Sequence, residues 1–228
     1  VVILQGKSLR DGITVLLSKP PSAPGPTLVE AVRLKLIRRM EEELGGWLVE
    51  VSCTGEKARL TTDHLLGQIG FTPLPPYILK ARRDVGMQID EAYDRDRYQT
   101  IFAHEMGSVA APTASLHFTP ELFDTIGTKG VGVADVVLHV GTGTFRTVET
   151  EFVEQHDMHT EWCEMRPQIA ERIVQTRAAK GRVICLGTTA ARTVESFAKR
   201  ATASEAHHIE PYAMETNILI TPGYQWRW

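Results

Sequence analysis

The sequence is short of cysteine, of long apolar runs and of surplus charge, and each shortage removes a class of protein. Its three cysteines, Cys53, Cys163 and Cys185, are odd in number, and none stands in a CxxC pair. A disulfide framework or a zinc ribbon is therefore not expected, and a reducing cytoplasm is. No apolar stretch comes near the roughly 18 residues that a membrane-crossing helix needs, and no signal peptide is read at the start. The formal net charge is −3 and the pI is about 6.3. A dedicated nucleic-acid coat would be strongly basic, so a large nucleic-acid footprint is disfavoured while a local basic patch is not. The first residue is Val1, not Met, and the last, Trp228, lies in a stretch that reads as a strand. Both features predict a piece of a longer chain.

What is present suffices for a folded core. Hydrophobic residues make up 43% of the 228 positions and charged residues 23%, a balance that favours one large or two small globular domains over disorder. No internal repeat or low-complexity tract stands out.

The chain changes grammar near residue 72. Before it, short β-rich runs follow one another: Gly12–Leu17, Thr27–Val32, Leu34–Arg39, and Trp47–Val51 after the Gly45-Gly46 turn. Pro20, Pro21, Pro24 and Pro26 break the first run from the second. Short strands at short spacing predict a small barrel or sandwich over residues 1–72. Val32-Arg33-Leu34 passes between two expected strands without a turn residue, which predicts an omitted loop there. A short helix is expected over Thr61–Gly70. Thr72-Pro73-Leu74-Pro75-Pro76-Tyr77-Ile78 reads as an extended linker, because proline restricts both itself and the residue before it.

Residues 73–228 then alternate helix and strand. Expected helices cover Tyr93–Glu105, a segment opened by Thr119-Pro120-Glu121, Pro167–Lys180 closed by Gly181, and Ala190–Arg200. Expected strands cover Gly132–Val140 and Arg182–Leu186. Such alternation predicts an α/β domain.

Four segments have the residue types that do chemistry. In Leu186-Gly187-Thr188-Thr189 a strand runs into a helix bearing Arg192. Free N–H groups and hydroxyls there suit a carboxylate or another anion, and a plain capping turn has the same composition. Leu138-His139-Val140-Gly141-Thr142-Gly143 permits close backbone approach to a ligand but lacks the third glycine of a dinucleotide fingerprint. His156, His159 and Glu161 do not have HExxH spacing, so no metal is expected. Alternation along a strand would set His159 and Glu161 on one face and His156 on the other. Gly107–Thr119 is smooth, short of charge, and contains His117 just before a helix, where function is common and a buried loop equally so.

At that last segment the chain resembles a known family. Gly107-Ser108-Val109-Ala110-Ala111-Pro112-Thr113-Ala114 with Leu116-His117-Phe118-Thr119 is similar to the signature of the S-adenosylmethionine:tRNA ribosyltransferase-isomerases of queuosine biosynthesis, the QueA family. Further blocks agree in the family's order: Leu74–Ile78, Arg97-Tyr98-Gln99-Thr100, Leu138–Gly141 with Gly143-Thr144-Phe145, His156 with Met158-His159 and Glu161, Gly187-Thr188-Thr189 with Arg192-Thr193, and Pro222-Gly223-Tyr224. Residues 1–72 match only in general pattern. Ser115, Thr142, Ala190-Ala191, Asn217 and Thr221 depart from the usual residues. The family's Asn-Asn-Thr-Arg, Asn-Phe-His-Leu-Pro and Ser-Tyr-Gly-Asp blocks are not in the sequence.

The resemblance implies a small β-barrel inserted in an α/β domain, here residues 1–72 and 73–228, and a monomer. It implies transfer and isomerisation of the ribosyl group of S-adenosylmethionine onto 7-aminomethyl-7-deazaguanine of a tRNA. The expected acid–base pool is His117, His139, His159 and Glu161. Arg192, Thr188 and Thr189 are expected to hold the methionine carboxylate, and Tyr98 and Phe145 to stack on bases. Gln99, Thr113, Gly141, Gly143 and Thr144 complete the expected substrate contacts. Lys80, Arg82, Arg83, Arg95 and Arg97 form a basic cluster for tRNA phosphates, or else a solvated face balanced by Asp84, Asp90, Glu91, Asp94 and Asp96. A metal-dependent hydrolase and an inactive tRNA-binding fragment are the rival readings.

Overall fold

A computed structural model describes residues 2–3, 9–16, 32–40, 46–53, 61, 70, 72–87, 93–145, 148–200 and 212–228. The chain groups into two compact units, residues 1–97 and 98–228.

The first unit contains a four-stranded antiparallel sheet in the order β1-β4-β3-β2. Its strands are β1 (Val2–Ile3), β2 (Thr14–Leu16), β3 (Val32–Arg39) and β4 (Gly46–Cys53). In β3, Val32, Leu34 and Leu36 are buried while Arg33 and Lys35 are exposed, as period-two geometry requires of a sheet with one covered face. Trp47 of β4 joins the buried set. The register with β4 slips between Leu36 and Arg38, and Ile37 at the slip is left exposed, the usual effect of a bulge.

One expectation changes here. Val32-Arg33-Leu34 lies inside one continuous strand paired to Cys53, Ser52 and Val51, so no turn separates two strands at that point. Thr27–Ala31, Gly45 and the interior of the expected 61–70 helix lie outside the described residues. The sheet is open among the described residues, with β1 and β2 at its edges.

The proline-rich segment is only partly extended. Residues 72–75 form no regular element, but Pro76 opens helix α1 (Pro76–Asp84). Proline is favoured at a first helical position, where its missing N–H has no intrahelical partner to lose. The expected Tyr93–Glu105 helix shrinks to α2 (Asp94–Arg97). Beyond it, the Thr100 hydroxyl accepts the Phe102 N–H at 3.3 Å, a local bond that competes with helix continuation.

The second unit mixes helices with a three-stranded antiparallel sheet, β5 (Val137–His139), β6 (Glu161–Glu164) and β7 (Ala213–Thr216), in that order. Helices α3 (Pro120–Thr128), α4 (Pro167–Ala178) and α5 (Gly187–Arg200) accompany it. Thr119 caps α3 by accepting the Leu122 N–H at 3.3 Å, and Pro120 follows at the first turn. Leu138, Cys163, Met165, Ala170, Ile173, Val194 and Phe197 form the core, drawn from β5, β6, α4 and α5.

Here too some expected strands shorten. Only Val137–His139 of the Gly132–Val140 run pairs in the sheet. Arg182–Leu186 joins no ladder among the described residues, and Ile184 is 77% exposed. The outer edge of β5 is already occupied: the Ser108 hydroxyl donates to Leu138 O and accepts the Val140 N–H, both at 3.1 Å. The last strand ends at Thr216, so residues 217–228 are not a strand. Among the described residues no helix is long and apolar enough to cross a membrane.

Candidate active site

The alternation of β6 fixes the heart of the site. Glu161 and Cys163 face inward, and Trp162 between them is 37% exposed. Glu161 is only 4% exposed, and a buried carboxylate must find donors or it destabilises the fold. It finds three. Oε1 accepts the Gly141 N–H at 3.1 Å and lies 2.9 Å from Nε2 of His159. Oε2 accepts Nη1 of Arg192, which projects from α5. Nη2 of Arg192 also donates to His159 O at 3.2 Å and Thr216 O at 3.4 Å. One guanidinium thus ties α5, the approach to β6 and the end of β7 to one carboxylate.

Glycines bring backbone close to the imidazoles. A Cβ on Gly143 would stand 2.5 Å from Cγ of His159, and one on Gly107 would stand 2.7 Å from Cε1 of His139. Gly107 has φ +138°, a conformation that side chains disfavour. On strand β5, His139 pairs in register with Trp162, and the two rings stack with centroids 4.9 Å apart and planes at 30°. Gly187 at the start of α5 has φ +85°, and a Cβ there would meet Ala114 at 3.1 Å. The signature loop and the Gly187-Thr188-Thr189 turn therefore touch.

Cys163 is buried beside this set. Burial pushes its thiol up to about 11, while the Arg192 charge pulls it down and Glu161 pushes it up. Among the described residues no three His, Cys, Asp or Glu side chains converge as a metal site.

The remaining expected site residues fall as follows. His117 is exposed at the end of a 3₁₀ turn, Thr113–His117, whose first residue Thr113 is also exposed. Tyr98 is 8% exposed, and Gln99 is exposed with its carbonyl accepting the Thr100 N–H at 3.4 Å. Thr142 and Gly143 are buried and Thr144 is exposed; the side chain of Phe145 lies outside the described residues. Thr188 is exposed, and Thr189 lends its carbonyl to the Thr193 hydroxyl at 3.0 Å. Arg192 is committed to protein acceptors, with only Nε buried and unpartnered among the described residues.

In the first unit the basic cluster divides. Lys80 and Arg83 are exposed. Arg82 forms a two-pronged pair with Asp94 at 2.8 and 2.6 Å, Arg95 donates to the Gly70 carbonyl, and Arg97 lies 4.9 Å over the Tyr93 ring.

Comparison with known proteins agrees with this arrangement of blocks. The family described as "Queuosine biosynthesis protein" matches residues 1–228. The chain belongs to that family. Among curated relatives, the S-adenosylmethionine:tRNA ribosyltransferase-isomerase of Xanthomonas euvesicatoria is 45% identical over 165 residues, 72% of this chain and 44% of the relative. That of Desulfitobacterium hafniense is 46% identical over the same shares. That of Francisella tularensis subsp. mediasiatica is 39% identical over 206 residues, 90% of this chain and 54% of the relative. The chain thus spans about half the length of the curated relatives it matches.

Sequence reasoning missed three members of this cluster. Trp162 was available from alternation, since a residue between inward Glu161 and Cys163 must face the other way. Thr216 enters through its backbone carbonyl, which no side-chain pattern reports. The proximity of Cys163 to Arg192 depends on how α5 packs, which is not a local property.

Proposed function

We propose that the polypeptide containing this segment transfers the ribosyl group of S-adenosylmethionine to 7-aminomethyl-7-deazaguanine at the wobble position of a tRNA. The product is epoxyqueuosine, with adenine and methionine released. The observation that carries this reading is the part-buried His159–Glu161–Arg192 set, in a chain that belongs to this family and whose relatives are named for this activity.

The chemistry suits such a set. A sulfonium acidifies the neighbouring ribose C5′ hydrogens, so a modest base can take one. Adenine then leaves, the acceptor amine attacks the sugar, and closure to the epoxide expels methionine. Proton transfer at these steps needs a base and an acid, and His117, His139 and His159 with Glu161 are the proposed pool. S-adenosylmethionine serves as co-substrate and no metal step is invoked. Thr188 and Thr189 at the start of α5 remain the proposed contacts for the methionine carboxylate, with Arg192 of the same helix bonded to Glu161, His159 O and Thr216 O. Tyr98 and Phe145 are the proposed stacking residues, and Gln99, Thr113, Gly141, Gly143 and Thr144 the proposed lining. Lys80, Arg82, Arg83, Arg95 and Arg97 are the proposed tRNA face, and all but Arg82 are exposed.

For the whole protein we further propose that residues 1–72 belong to a small inserted barrel, that residues 73–228 belong to the α/β domain, and that the protein acts as a cytoplasmic monomer. The decisive experiment incubates the full-length polypeptide with S-adenosylmethionine and tRNA bearing the aminomethyl base. Release of adenine is expected; its absence with both substrates present sinks the reading.

A further inference from the structure

We propose that the atom exchanging protons with bound substrate at this site is Nδ1 of His159, set in that role by Glu161 and kept open by Gly143. The chemistry rests on the ribosyl-transfer reading above, whereas the tautomer does not.

An ionised carboxylate accepts hydrogen bonds and donates none. Oε1 of Glu161 receives the Gly141 N–H at 3.1 Å, and Oε2 receives the Arg192 guanidinium. Acting as acceptor toward both, the carboxylate must meet a proton on Nε2 of His159, 2.9 Å from Oε1. The neutral ring is thereby the Nε2–H tautomer, and its lone pair resides on Nδ1. Nδ1 makes no hydrogen bond among the described residues. The buried unpartnered atoms there are Nδ1 of His139, Nε of Arg192 and Nε1 of Trp228. Nδ1 of His159 is not one of them, and the His159 side chain is 17% exposed.

Gly143 is the second half of the device. A Cβ at this position would stand 2.5 Å from Cγ and 2.8 Å from Nδ1 of His159. Any side chain would push the ring away from Glu161 or cover the nitrogen.

In the step assigned to it, Nδ1 takes a proton from the carbon next to the sulfonium. The C–H electron pair stays on that carbon, opposite the positive sulfur, and the ring becomes imidazolium. The Nε2 proton remains on its hydrogen bond to Glu161 and does not move, so Glu161 and Arg192 are positioning residues. Arg192 offsets part of the carboxylate's charge and so moderates the pull of Glu161 on the imidazolium.

The test uses the full-length polypeptide labelled with ¹⁵N-histidine. Long-range ¹H–¹⁵N spectra at a pH where the His159 ring is neutral read the tautomer directly, and His159→Gln assigns the signal. The Nε2–H form is expected. In Glu161→Gln the amide oxygen turns to Arg192 and the amide nitrogen to the ring, so the tautomer shifts toward Nδ1–H. Adenine release falls by about 100-fold or more, the scale of lost proton-transfer catalysis. Gly143→Ala is expected to lower release while Glu161 remains in place. An Nδ1–H ring in the unaltered protein overturns the proposal. So does unchanged adenine release by His159→Gln or Glu161→Gln. If the unaltered protein releases no adenine but shows the Nε2–H ring, the ribosyl-transfer reading fails and the tautomer assignment stands.

Discussion

Tyr224 reaches back to Glu195 in helix α5, its hydroxyl donating to Oε1 at 3.0 Å. Glu195 is 1% exposed and also accepts the N–H groups of Arg227, at 3.0 and 3.1 Å, and Trp228, at 3.3 Å. Thr193, Val194, Ser196 and Phe197 beside it are buried too. The carboxylate is held by the backbone of the segment that covers it. The same contact, with burial, pushes the Tyr224 hydroxyl above its ordinary pKa: burial first, then the Glu195 hydrogen bond and charge.

Glu195→Ala therefore strands three donors at once. Leaving buried polar groups unsatisfied costs about 1–3 kcal/mol each, and more where a charge was involved. A loss of roughly 3 kcal/mol is expected, within the range for breaking a buried polar network. Urea unfolding checks it, and an unchanged midpoint would show that the 224–228 segment is not anchored there.

Cys163 gives a pH dependence of defined sign. Its folded pKa, about 11, stands above the ordinary thiol value of 9.0. Between these values the unfolded chain loses the thiol proton and the folded chain keeps it, so stability falls as pH rises. The contribution is complete below 9 and spent above 11. Chemical denaturation across that window, compared with Cys163→Ser, is expected to show a steeper decline in the unaltered protein. Slow alkylation of Cys163 in the native state follows from the same burial.

Gly107→Ala combines a disfavoured backbone angle with overlap on the His139 ring. A destabilisation of about 1–3 kcal/mol is expected, together with loss of the His139–Trp162 stack. Thermal unfolding measures the first effect, and the tryptophan fluorescence of the folded protein reports the second.

Arg192→Lys separates two roles. An ammonium cannot serve Glu161 and two carbonyls in the geometry of the guanidinium fork. If Arg192 positions Glu161, kcat for adenine release falls by about tenfold or more, the effect of losing roughly 1.5 kcal/mol of charged hydrogen bonding, with KM for S-adenosylmethionine little changed. A large rise in KM at constant kcat would instead place its guanidinium on the substrate.

The basic cluster is tested by salt dependence. Lys80→Glu and Arg83→Glu are expected to weaken tRNA binding and to lower the slope of log K against log salt by about 0.7–0.9 for each phosphate no longer neutralised. Arg82→Ala removes a half-buried pair with Asp94 and is expected to lower stability more than it alters that slope.

How much of this was legible in the sequence varies by element. The capped start of α3 was readable because Thr119 and Pro120 act within one turn. The burial pattern of β3 was readable because alternation is local. Residues 182–186 were not readable: apolar, β-branched composition states a preference to pair, and pairing needs a free strand edge at the right place. Pro76 misled for a related reason, since proline fits both an extended run and a first helical turn, and only the chain that follows decides.

The sequence alone determined the family, because motif identity and spacing are properties of covalent order. It also grouped His159 with Glu161, two residues apart. Tertiary structure alone decided that Arg192, 31 positions beyond Glu161, is consumed by that carboxylate, that Gly143 lies against one imidazole and Gly107 against another, and that Glu195 seals the 224–228 segment. Buried charge must be matched wherever the fold brings a partner, and the choice of partner is made by the packing of helices and strands far apart in sequence, which no local pattern encodes.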